Sequence, residues 1–142
     1  MTDSPPPFAA QRVLFLMLLL GMTAYSIGAA VVLQTNDGRG LADQPIPELD
    51  SVVIAVGIGT AVAAVAVRAL LRRRAAGQPS PERGRTRFLA VLIPLATLEG
   101  GCLLGVTAWL LNGNAVPGLA VALVLLAIAI AIVPFRDPDA DA

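Results

Sequence analysis

The stretch FLAVLIPLATLEGGCLLGVTAWLL, Phe88–Leu111, decides the fold. It is apolar almost throughout. At about 1.5 Å of rise per residue, a helix of this length crosses a hydrocarbon layer roughly 30 Å thick. One carboxylate, Glu99, interrupts it near its middle. Three more apolar runs of similar length occupy most of the remaining chain: Val13–Leu33, Ser51–Leu71 and Ala115–Phe135. Together they predict an all-α membrane protein with four transmembrane helices arranged as two hairpins.

Composition points the same way. Of the 142 residues, 56% are hydrophobic, and the mean hydropathy is +0.77. That is too apolar for a water-soluble domain. One domain is expected over residues 1–142, with helices at about 12–34, 51–74, 87–111 and 115–135. Residues 1–11, with Pro5-Pro6-Pro7, read as a disordered tail. The first run exceeds the ~7–15 residues of a signal-peptide core, so it is expected to stay as an uncleaved helix. Ser51, after Asp50, reads as the cap of the second helix. Residues 75–86, with Gly77, Pro79, Pro81 and Gly84, read as a flexible basic loop, and residues 136–142 as an acidic tail.

The charges are unevenly placed. All ten basic residues are arginines. Arg72, Arg73, Arg74, Arg83, Arg85 and Arg87 cluster around the second connection, with Arg68 just inside the second helix. The first connection carries Asp37, Asp43, Glu48 and Asp50 against Arg39 alone. Arginine-rich short loops stay in the cytoplasm. The basic cluster is therefore expected there, and four spans put both termini on the same side. The expected location is a multi-pass place in the bacterial cytoplasmic, or inner, membrane. Arg68 is expected to snorkel to the interface, and the cluster to attract anionic lipid heads.

Glu99 is the residue that points to chemistry. It lies about 16 Å into its helix, near the midplane. An unpaired anion there is strongly disfavoured. Its expected state is a neutral carboxyl turned towards another helix and bonded to a neighbour. Thr23, Tyr25, Ser26, Thr60, Thr97 and the carbonyl freed by Pro94 are the candidates. A carboxyl at this depth is also the kind of group that handles protons or ions, which makes Glu99 the candidate ion-binding residue.

Around it, Thr97, Gly101 and Gly105 share one helix face. With Gly57 and Gly59 on the second helix and Gly28 on the first, they form the expected helix-packing set, since small residues let backbones approach. A flat pigment, a quinone or a lipid against these glycines is the sharper alternative, and no cofactor is otherwise expected. The fourth helix has no polar side chain between Pro117 and Phe135 and reads as lipid-facing. A weak internal repeat sets Phe15-Leu16 against Phe88-Leu89.

With no histidine and one cysteine, Cys102, a His/Cys metal site and a histidine-held haem are excluded. No nucleotide-binding loop and no nucleophile-and-base set can be assembled, so catalysis of the soluble type is not expected, nor is a nucleic-acid partner.

The stretch Ala96-Thr97-Leu98-Glu99-Gly100-Gly101-Cys102-Leu103-Leu104-Gly105 resembles the proteolipid, or subunit c, family of rotary ATPases. It is also similar to uncharacterised bacterial four-helix membrane proteins with a Glu-and-Gly helix. In the proteolipid family a midplane carboxylate near small residues binds protons or sodium ions within a ring of subunits. The resemblance implies that role for Glu99. The residues themselves lead first to a non-catalytic accessory or structural subunit. Its partners would be the lipid bilayer and either other membrane subunits or further copies of itself. Proteolipid-like ion translocation is the alternative.

Overall fold

The computed structural model describes residues 7–134, apart from the side chains of Ser80 and Pro81. The described chain is all-helical: α1 Phe8–Thr35, α2 Pro47–Ala76, α3 Ser80–Asn112 and α4 Gly118–Ile132. The first three are long and apolar enough to cross a membrane. The fourth has 15 residues, about 22 Å, and is shorter than a full span.

The first three helices begin earlier than their apolar runs. α1 includes Phe8–Gln11, part of the stretch read as a disordered tail; Pro7 stands at its N-cap. α2 starts at Pro47, one turn before Ser51. Proline suits the first turn because that turn has no intrahelical N–H bond to lose. Glu48 and Asp50 then complement the positive end of the helix dipole. Ala75 and Ala76 extend α2 past the arginines, as strong helix formers do.

The expected basic loop over 75–86 shrinks to the three residues Gly77, Gln78 and Pro79. Arg83, Arg85 and Arg87 lie on α3. The turn is tied by Gln78, whose backbone carbonyl accepts from Arg83 Nε (3.1 Å) and Nη2 (2.9 Å). Its side-chain oxygen accepts from Thr86 Oγ1 at 2.6 Å.

α4 is also shorter than the expected 115–135. It starts after Pro117, which follows a cis peptide bond from Val116. It stops at Ile132 because Val133 takes the extended backbone that a following proline demands. The acidic tail lies outside the described residues.

α3 is the hub. It packs against α1, α2 and α4, whereas α1 and α2 make no close approach to each other. The first two helices are therefore consecutive in the chain without forming a packed hairpin. α1 runs parallel to α3. The Phe15 ring stacks on Phe88, with centroids 5.8 Å apart, and Tyr25 reaches Thr107.

The buried residues of α1 are Phe15, Met22, Ala29 and Leu33, and those of α4 are Gly118, Ala122, Leu125, Ala129 and Ile132. Their spacings of three, four and seven are those of a helix seam. α4 thus buries a complete stripe, and only its opposite face fits the lipid-facing reading. The core between the helices holds Leu95, Leu98, Cys102 and Val106, all fully buried. In a bilayer this packing gains dispersion energy and close backbone contact rather than relief from water.

At the far end from the arginines, the first loop is built onto α3. Leu41 N and Ala42 N donate to the carbonyls of Leu110 and Leu111, each at 3.0 Å. These are carbonyls that the end of α3 would otherwise leave unpaired. Asn112 closes the arrangement. Its Oδ1 accepts from Ile46 N at 3.0 Å, and its Nδ2 donates to Ile46 O at 3.2 Å and to Asp50 Oδ1 at 3.1 Å. Gly113 ends α3 with a φ of 70°, and Gly40 packs directly on Leu111 O.

Candidate functional site

Glu99 stands 13 residues before the end of α3 at Asn112, about 20 Å along the axis. It is half-buried. Its carboxyl leans towards α1, where Gly21 has no side chain to meet it: a Cβ built there would lie 3.6 Å from Oε1. Buried Cys102 lies close enough to feel its charge.

The expected hydrogen-bond partners are engaged elsewhere. Thr23 donates to Leu19 O at 2.8 Å, Ser26 to Met22 O at 2.8 Å and Thr97 to Ile93 O at 2.9 Å. Thr60 shares its proton between Val56 O and Gly57 O, at 2.9 and 3.0 Å. Thr107 donates to Leu103 O at 2.7 Å, so Tyr25, 2.9 Å from Thr107 Oγ1, is the donor of that pair. Hydroxyls in apolar helices settle this way because the carbonyl four residues back is always in reach. Glu99 itself has no hydrogen-bond partner among the described residues.

The small residues divide into two groups. Gly101 faces Thr60 and Leu125: an added Cβ would stand 2.7 Å from Thr60 Oγ1 and 2.8 Å from Leu125 Cδ1. Gly105 faces α4 backbone, with Gly118 O at 2.8 Å and Ala122 N at 3.2 Å from such a Cβ. Gly57 lies against Val121. These three glycines bring α2, α3 and α4 together. Gly28, Gly59 and Gly100 meet nothing within 4 Å. Ile93, Ala96 and Gly100 are exposed along one side of α3.

Apart from Arg39 in the first loop, the described basic residues occupy the opposite end from Asn112. Arg72, Arg73 and Arg74 are exposed on α2. Arg68 is turned inward rather than simply out to the interface: its Nη2 donates to Ile132 O at 3.0 Å. A cation at that point satisfies a carbonyl at the end of α4 and complements the helix dipole. Its Nε is buried without a partner. The signal for this contact was an arginine placed inside an apolar run, but its target on α4 is set by tertiary packing.

Among the described residues, no group of three or more His, Cys, Asp or Glu side chains is placed to hold a metal ion. No family model, curated protein or solved structure matches the chain.

Proposed function

We propose that this chain is a small, non-catalytic membrane subunit that works through helix packing, within a complex of membrane proteins or as a homo-oligomer. The observation that supports it most is the separation of α1 from α2 on the two sides of α3. Both keep long apolar faces exposed, as at Met17, Leu20 and Ile27 on α1 and Ile58, Val62 and Val65 on α2. Between them α3 offers Ala96 and Gly100, small residues of the kind that admit another helix. In this reading the arginine end lies in the cytoplasm of a bacterial cell. The test is purification in mild detergent combined with cross-linking from a cysteine at Ala96, in a Cys102→Ser background. A defined cross-link to a second copy or to one membrane subunit is expected. A monomer that cross-links only to lipid would overturn the reading.

A second reading is favoured by one observation: the carboxyl of Glu99 lies within the apolar part of α3 without a hydrogen-bond partner among the described residues. It is proteolipid-like proton or ion translocation. Proteoliposomes holding the parent would then show proton or sodium flux that Glu99→Gln abolishes. If the parent shows no flux, or Glu99→Gln matches it, this second reading fails and the packing role stands alone.

A further inference from the structure

The lengths of α2 and α3 set up a second surface. They have 30 and 33 residues, about 45 and 50 Å, against a hydrocarbon layer roughly 30 Å thick. At one end Asn112 ties α3 to the start of α2 through Ile46 and Asp50. The surplus length therefore projects at the arginine end. From Arg68 to Arg74 the helix rises about 9 Å. With Arg68 at the edge of the hydrocarbon, Arg72 stands about 6 Å out and Arg74 about 9 Å, from within the headgroup layer, about 5–7 Å deep on each side, to its boundary with water. All three are exposed. Consecutive residues step about 100° around a helix, so their guanidiniums fan outward towards surrounding lipid.

Among the described residues, the local charge balance leaves this end positive. Arg12, on the neighbouring start of α1, is exposed as well. Glu82 is the only acid at this end among the described residues. Arg68 and Arg72, one turn apart, repel each other, and Arg68 is already committed to Ile132 O.

We propose that this end of the molecule is a binding surface for anionic phospholipid headgroups, with Arg72, Arg73 and Arg74 taking the phosphate oxygens. Guanidinium presents paired N–H donors that match a phosphate. A zwitterionic headgroup brings its own cation into the arginine field, so the surface discriminates by charge. Each arginine near an anionic surface contributes about a five-fold preference.

The test uses the full chain in mixed micelles and counts retained lipids by native mass spectrometry. The probes are phosphatidylglycerol and phosphatidylcholine of matched chains. The parent should retain phosphatidylglycerol over phosphatidylcholine. Arg72→Gln/Arg73→Gln/Arg74→Gln should lose that preference, and Arg73→Gln alone should lower it by about five-fold. Arg39→Gln, at the opposite end, should leave it unchanged. The single variant keeps the test decisive if the triple one fails to fold. Equal retention of the two lipids overturns the proposal, as does an undiminished preference in Arg73→Gln. Complete displacement of phosphatidylglycerol by inorganic phosphate also overturns it, because the ligand would then be a free anion.

Discussion

The Oε1 oxygen of Glu99 lies 3.6 Å from the position a Cβ would take on Gly21. The glycine makes room for a carboxyl at the α1–α3 contact without touching it. Gly21→Ala should therefore be accepted at ordinary van der Waals distance. It should even gain up to about 1 kcal/mol from the lower entropy of the unfolded chain. Gly21→Leu should instead displace the carboxyl and loosen α1. Thermal melting in detergent checks both: the alanine variant is expected at or above the parent and the leucine variant below it.

The glycines of the first three helices should rank by what their missing side chains would strike. Gly105→Ala meets α4 backbone at Gly118 O and Ala122 N, which cannot move without shifting a helix. Gly101→Ala meets Thr60 and Leu125 side chains, which can partly give way. Gly100→Ala, Gly28→Ala and Gly59→Ala meet nothing within 4 Å. Overpacking costs about 1–3 kcal/mol. Gly105→Ala is expected at the top of that range, Gly101→Ala lower, and the last three near zero. Equal melting temperatures for Gly105→Ala and Gly100→Ala would refute the ranking.

Three long apolar helices were legible because hydropathy over a window of about 20 residues is a strong signal. So was the place of Glu99 inside the apolar part of α3, which needs only a count along the sequence. Helix starts were harder. Pro47 with Glu48, and Pro79 with Pro81 and Glu82, read as loop residues by composition, yet proline followed by acid is also a helix-start pattern. The neighbours of each helix were not legible. Nothing local shows that α1 docks on α3 and misses α2, since nearly every residue of α1 is apolar on all sides. The sequence repeat that sets Phe15 against Phe88 coincides with a contact: the two rings stack because α1 and α3 run parallel. The target of Arg68 and the role of Asn112 depend on residues 64 and 66 positions away, beyond any local pattern.

Asn112 holds the first loop, α2 and α3 together with three hydrogen bonds. Asn112→Ala removes all of them. At about 1 kcal/mol each, discounted for their exposure, the loss should be about 1–3 kcal/mol. Hydrogen exchange over residues 38–46 should accelerate while the centre of α3 stays protected. Gly40→Ala should have a similar local effect, because its side chain would run into Leu111 O. Unchanged exchange in both variants would show that the loop is held by something else.

Arg68 should behave as a cap for α4. Arg68→Leu removes the donor to Ile132 O but also relieves the buried, unpartnered Nε. Removing an unsatisfied donor offsets part of the lost bond, so global stability should change by less than about 1 kcal/mol. The visible effect should be local, with faster exchange at Ile132 and Val133. Arg68→Lys keeps the charge with a shorter, differently shaped head and should protect those amides only in part. A large drop in melting temperature for Arg68→Leu would mean the arginine supports more than the end of α4.

The two ends of the molecule should face different compartments. The acidic first loop is fastened to the end of α3 by Leu41, Ala42 and Ile46, while the arginines crowd the other end of α2 and the start of α3. Arginine-rich ends stay in the cytoplasm. Single cysteines at Asp43 and at Ala76, both exposed, report the two ends in a Cys102→Ser background. An impermeant maleimide applied to intact cells should label the Asp43 position and spare the Ala76 position until the cells are opened. The reverse pattern would invert the topology and would also move the proposed anionic-lipid surface to the outer leaflet. Labelling at both positions in sealed cells would mean that α2 does not cross the membrane.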